Sequence, residues 1–188
     1  MNASKHKIFA GAVVVATVAC SVLASATAAS ATELAPPKTC WVDVSTKDSL
    51  CVDTGTDLIA AVVREKGIQL VVPDGTPIGG VPAKASAATG LTRSIQASTV
   101  TGILYDDVNY GGGSFVASSS GTCPAASYGY ASLSAYGWND RASSFRSYAG
   151  CTSAVFANDN YGGASYGYYA NASSLGSLND QASSWRMH

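Results

Sequence analysis

The chain has 188 residues, only 12% of them charged, with 11 Lys and Arg against 12 Asp and Glu and a formal net charge of −1. A balance so close to neutral gives no electrostatic reason to seek nucleic acid or an anionic membrane surface. Solubility must come from Ser, Thr, Asn, Tyr and exposed backbone, and the 19 Gly and 10 Tyr suit a β-rich extracellular protein.

Residues 1–31 read as a secretory signal peptide. Lys5 and Lys7 precede an apolar run from Ile8 to Leu23 and small residues ending Ala29-Ser30-Ala31. The run is too short and too rich in Ala and Ser for a membrane span. Thr17 stands where a lipobox before Cys20 would carry an aliphatic residue. Cleavage after Ala31 predicts a secreted protein with no membrane attachment. Loss of two lysines leaves nine basic against twelve acidic side chains, a balance of −3. Of the 5 cysteines, all but Cys20 remain, and an even number in an exported chain implies two disulfides. Closeness in sequence pairs Cys40 with Cys51 and Cys123 with Cys151.

Residues 32–39 form an irregular lead-in. From Cys40 to Val52 the pattern predicts a hairpin, with strands at Trp41–Val44 and Leu50–Val52. Thr56 or Asp57 can cap a short helix that ends at Gly67, and residues 68–72 read as a buried strand. This ββαβ unit, 32–73, is small for a core of its own, which accounts for a Cys40–Cys51 staple. Pro and Gly then break the pattern, and 74–101 is expected to be a flexible linker.

Residues 102–188 contain an internal repeat. LYDDVNYGGGSF at 104–115 matches VFANDNYGGASY at 155–166, and GWNDRASSFR at 137–146 matches SLNDQASSWR at 177–186. Alternation, turn glycines and the lack of helical periodicity make each copy a β motif, one at about 102–147 and the other at 153–188. Gly112 and Gly163 sit where tight turns want positive φ. Phe145 and Trp185 are expected in the core. The first copy is longer, and its extra stretch, carrying Cys123, reads as a surface loop anchored to Cys151.

An aromatic–glycine hairpin followed by Asn-Asp-x-x-Ser-Ser, twice in order, resembles the microbial βγ-crystallins. The resemblance implies an all-β fold, two Greek keys packed as a sandwich with pseudo-twofold symmetry. It also implies calcium, about two ions per domain. Asp140, the Arg141 carbonyl and Ser143 are the expected ligands in the first loop, and Asp180, the Gln181 carbonyl and Ser183 in the second. Asn139 and Asn179 lead the loops, and a carbonyl near Asp107 or Asp159 of the other motif completes each site. Ser144 and Ser184 are expected to tie loop to hairpin. With so few formal charges, affinity is expected in the range of extracellular modules, roughly 10⁻⁴–10⁻³ M.

Catalysis is not expected: His188, the last residue, is the only histidine after the signal segment, so a Ser–His or Cys–His pair lacks its base. The main expectation is a monomeric calcium-binding structural or interaction module. Two alternatives stay open. Secreted actinomycete metalloproteinase inhibitors are similar in being exported, disulfide-bonded βγ-crystallin domains, which would make an extracellular protease the partner. However, their short disulfide-closed inhibitory loop has no counterpart here. A killer-toxin-like antimicrobial role is the other. Residues 102–188 are expected to fold without the N-terminal unit.

Overall fold

A computed structural model describes residues 37–84, 95–123 and 125–188. The signal segment, most of the lead-in and part of the expected linker lie outside the described residues.

The N-terminal elements form where local chemistry places them. Strands β1 (Lys38–Asp43) and β2 (Ser49–Asp53) pair antiparallel, with Cys40 opposite Cys51 and the two joined as a disulfide. A Lys38–Asp53 ion pair closes the open end of this hairpin. Helix α1 (Leu58–Lys66) starts at Asp57, whose side chain accepts the Ala60 N–H at 3.0 Å. It stops at Gly67, which takes a left-handed φ of 67° and donates its N–H to the Val63 carbonyl. Strand β3 (Ile68–Val71) follows.

The expected linker contains structure. Strands β4 (Pro77–Ile78) and β5 (Val81–Pro82) make a small hairpin, with Ile78 buried and the Gly79 N–H on Ser114 Oγ at 2.9 Å. Strand β6 (Gln96–Tyr105) begins six residues before the expected domain boundary, because Gln96–Thr99 pair in parallel with all of β3.

The repeats supply the rest: β7 (Ser114–Ser119), β8 (Tyr128–Tyr130) and β9 (Ser144–Ser147) from the first, and β10 (Ser153–Asn158), β11 (Gly162–Tyr169), β12 (Asn171–Ala172) and β13 (Ser184–Met187) from the second. They form two sheets that exchange their third strands. One sheet runs β12-β9-β6-β7, and the other β11-β10-β13-β8. The extra stretch of the first repeat is therefore more than a surface loop. It supplies β8, and Tyr130 stacks on Trp185 at 5.6 Å with a 17° interplanar angle. Cys123 and Cys151 are bonded, as expected.

The N-terminal unit is built into the first sheet. Strand β1 pairs in parallel with β7, aligning Cys40–Asp43 with Phe115–Ser118, so the sheet continues through β7-β1-β2. Alternation then buries both of its faces. Leu104, Phe115, Phe145 and Val42 face the second sheet, where Trp138, Val155 and Trp185 meet them. Trp41, Ile103, Tyr105 and Val116 face the opposite way, against Leu58, Ile59 and Val62 of α1. The ββαβ unit has no core apart from this shared one, and Ala35–His188 is a single compact unit. Gly102 lets the layers close: a Cβ there would lie 2.5 Å from the Trp185 ring and 2.7 Å from Met187 Sδ.

The shared core can be tested in three ways. Trp41 is fully buried and donates its indole N–H to Ser118 Oγ at 2.7 Å. Trp41→Ala should cost about 3–5 kcal/mol in urea denaturation and lower a single transition. A fragment of residues 102–188, lacking the strand and helix that cover β6 and β7, should melt without cooperativity. A cooperative melt would show that the sandwich stands alone. The third concerns Tyr105 and Tyr130, whose pKa values burial pushes well above 10.0. The unfolded chain loses these protons near pH 10 and the folded chain keeps them. Stability should therefore be unaffected below pH about 10 and fall above it, by up to about 1.4 kcal/mol per pH unit per group. In a spectrophotometric titration two of the 10 tyrosines should ionise only as the protein unfolds.

Candidate metal centre

Each motif builds the same hairpin device. After β6, the turn Val108–Tyr110 puts Asn109 and Tyr110 at φ 57° and 66°, and after β10 the turn Asp159–Tyr161 puts Asn160 and Tyr161 at 55° and 62°. Positive φ is uncommon for asparagine and an outlier for tyrosine, so it persists only when its surroundings over-determine it. Here the second serine of each loop does so. The Tyr110 N–H donates to Ser144 Oγ at 3.0 Å, and that hydroxyl donates to the Asp107 carbonyl at 2.6 Å. Tyr161, Ser184 and the Asn158 carbonyl repeat the arrangement at 3.0 and 2.6 Å. Ser144 and Ser184 thus tie loop to hairpin, as the sequence led us to expect. Two hairpins locked by serines, on sheets that exchange their third strands, decide the architecture. The domain is a βγ-crystallin-type double Greek key.

The two Asn-Asp-x-x-Ser-Ser loops of this βγ-crystallin-type domain meet each other. Asp140 and Asp180 take φ of 55° and 54°. The Asp140 N–H donates to the Ala182 carbonyl and the Asp180 N–H to the Ala142 carbonyl, both at 3.0 Å. This reciprocal pair sets the loops back to back, with each aspartate opposite the other loop's Ala-Ser. Consequently the carboxylate beside Ser143 belongs to the other motif: Ser143 Oγ donates to Asp180 Oδ1 at 2.9 Å. Ser143 is buried, whereas both aspartates are exposed. Asn139 donates its amide to Asp140 Oδ2 at 2.6 Å, and Asn179 Oδ1 accepts the Leu175 N–H at 3.0 Å. Asp107 and Asp159 do not occupy equivalent places, because Asp107 aligns with Asn158 and Asp159 with Val108.

Among the described residues no three His, Cys, Asp or Glu side chains gather as a metal cluster. The donor set at these loops is oxygen alone: two carboxylates, the Ser143 and Ser183 hydroxyls, and backbone carbonyls including those of Arg141 and Gln181. Such a mixture suits a hard cation of flexible coordination and offers nothing to a soft one.

The first loop carries an anchor that sequence reasoning missed. Arg141 forms a two-pronged pair with Asp106, Nε to Oδ1 at 3.0 Å and Nη2 to Oδ2 at 2.8 Å. The same guanidinium donates to the Gly137 and Lys38 carbonyls and lies 4.1 Å over the Trp138 ring. It therefore fastens the loop to β1. The second motif has Gln181, Ala157 and Leu178 at these positions, and that mismatch was the signal available in the sequence.

No protein-family model and no curated protein matches the chain. Solved structures similar to it include the N-terminal domain of protein S, at 27% identity and TM-score 0.38, over 47% of this chain and 94% of that one. A βγ-crystallin domain from Flavobacterium johnsoniae is 33% identical, with TM-score 0.36, over 47% of this chain and 93% of that one. A clostrillin double mutant, solved in complex with nickel, is 27% identical, with TM-score 0.37, over 47% of this chain and 97% of that one.

The serine ties can be tested apart from any ion. Ser144→Ala or Ser184→Ala leaves a hairpin carbonyl and a tyrosine N–H without partners. Each should cost about 1–3 kcal/mol in chemical denaturation of the calcium-free protein.

Proposed function

We propose that this chain is an exported, non-enzymatic calcium-binding module of the βγ-crystallin type, with a structural or interaction role. The observation that carries the reading is the back-to-back pair of loops, in which Asp180 lies 2.9 Å from the buried Ser143 hydroxyl of the other motif. Both loops join strands of different sheets, so an ion bridging them would fasten the two Greek keys at their contact. In this reading Asp140 and Asp180 supply the charge, Ser143 and Ser183 the hydroxyls, and Arg141 and Gln181 the carbonyls, with Asn139 and Asn179 shaping the loops. Two ions per domain follow from the duplication. Calcium would supply a fixed positive charge between the loops, and nothing in the arrangement calls for a reaction. Ser143, Ser144 and Ser184 are engaged in hydrogen bonds within the domain, and the His188 ring lies 3.9 Å from that of Tyr168 at an interplanar angle of 41°.

Linkage gives the test. An ion that binds only the folded state stabilises it by RT ln(1 + [L]/Kd), about 2.7 kcal/mol at a hundredfold excess over Kd. At the affinity expected of a weakly charged extracellular site, roughly 10 mM calcium should raise the melting temperature clearly. Asp140→Ala and Asp180→Ala should each remove part of the shift and the double variant nearly all of it. Asp180→Ala also leaves the buried Ser143 hydroxyl without its acceptor and puts alanine at positive φ, so each variant's calcium shift is read against its own calcium-free melt. A wild-type melting curve unmoved by calcium would overturn the reading.

A further inference from the structure

The two Asn-Asp loops share a backbone and differ in what holds them. Stacked arginines are common to both motifs: Arg146 lies over the Tyr110 ring at 3.9 Å and Arg186 over Tyr161 at 5.4 Å, so these belong to the framework. Arg141 has no such twin. Five contacts converge on its guanidinium, from both oxygens of Asp106, the Gly137 and Lys38 carbonyls and the face of the buried Trp138 ring. The Arg141 and Asp106 side chains are 26% and 17% exposed, so solvent screens the pair less than a surface one. A planar guanidinium held at its edge and on its face has little freedom left.

In the second motif the side chains of this clamp are all replaced. Gln181, Ala157 and Leu178 stand for Arg141, Asp106 and Trp138, and the exposed Gln181 side chain makes no hydrogen bond among the described residues. A fourth position completes the contrast. Gly113 aligns with Ala164, and a Cβ on Gly113 would lie 2.6 Å from Asp106 Oδ2 and 2.8 Å from the Lys38 carbonyl oxygen. The first hairpin thus omits the atom that would keep Asp106 and β1 from meeting at Arg141. Four differences that converge on one guanidinium make a single device, which clamps the first loop to its hairpin and to β1.

The clamp acts on a residue whose backbone matters. In the calcium reading above, on which this inference rests, the Arg141 and Gln181 carbonyls are counterpart ligands. Each follows an aspartate at positive φ, 55° for Asp140 and 54° for Asp180, a conformation that the surroundings must hold in place. Fixing the Arg141 side chain before an ion arrives removes an ordering cost that the second loop still meets on binding. The charge of Arg141 acts the other way, by repelling a cation, but the Asp106 carboxylate at 2.8 Å offsets it.

We propose that Arg141 is a positioning residue that makes the two calcium sites unequal, the site that takes the Arg141 carbonyl being the tighter because Asp106 and β1 hold its loop in place. The test is an NMR titration of the purified chain with calcium that follows the carbonyl resonances of Arg141 and Gln181. Amide hydrogen exchange of the calcium-free protein accompanies it. The Arg141 resonance should saturate at roughly three- to tenfold less calcium than that of Gln181, the span expected when one side chain is ordered beforehand. Arg141→Gln, which installs the second motif's residue, should bring the two midpoints together and speed exchange of the 139–143 amides. Gly113→Ala should do the same without changing any charge, and Arg186→Gln should move neither midpoint. If the guanidinium acted only through its charge, Arg141→Gln would tighten binding and Gly113→Ala would change nothing, and either result overturns the proposal. Equal midpoints in the parent overturn it as well. If Arg141→Gln fails to fold, Gly113→Ala and the parent midpoints decide. A parent in which neither resonance responds to calcium overturns the calcium reading itself, and this inference with it.

Discussion

Strand β6 is the constraint on which the rest of the structure depends. It is buried on both faces and hydrogen-bonded along both edges, by β7 on one side and by β3 and then β9 on the other. Leu104 points into the sandwich, while Ile103 and Tyr105 point at the N-terminal helix side, and all three are fully buried. A slip of one residue would exchange two well-packed faces at once, so the register has no alternative. That register decides where the first hairpin begins, and therefore where Ser144 finds the Asp107 carbonyl and where the Asp140 loop meets the Asp180 loop.

The duplication separates framework from addition. Features present in both motifs are the positive-φ turn, the serine tie, the exchanged third strand, the reciprocal backbone bonds of the Asn-Asp loops and the Arg–Tyr stack. These are what a double Greek key needs to close. Features present once are the Asp106–Arg141 pair, the contact of Arg141 with the Lys38 carbonyl and the Tyr105–Tyr148 phenols. All of them lie in the motif that receives the N-terminal unit. Joining β1 to β7 gave this motif a covered edge and a second core, in which a buried tyrosine and a partly buried ion pair can be held. The second motif keeps Phe156, Ala157 and Gln181, and its strand β11 remains largely exposed at the edge of its sheet.

Much of this organisation is local and was legible in the residues. The helix announced itself through Asp57 and Gly67, the repeat through paired motifs, and the disulfides through spacing. The serine ties were legible because the second serine of each Asn-Asp-x-x-Ser-Ser loop recurs in both copies after its hairpin, in the order of the motif that the chain resembles. The Asn-Asp loops were legible as loops but not as a pair, since the carboxylate that Ser143 meets lies 37 residues away.

The amino-acid sequence by itself determined the class of fold, the two disulfides, the caps of the helix and the hairpin-plus-loop composition of each motif. Each rests on short spacings and on side chains whose conformational preferences are intrinsic. Only the tertiary structure decided that residues 96–101 continue a core strand, that β8 and β12 change sheets, and that β1 joins β7. It also decided that Arg141 reaches the Lys38 carbonyl, 103 residues away in the chain. These choices are made by backbone hydrogen bonds, which are the same for every residue type, and by burial on faces that exist only after both sheets have formed. A short pattern in the chain carries no mark of either.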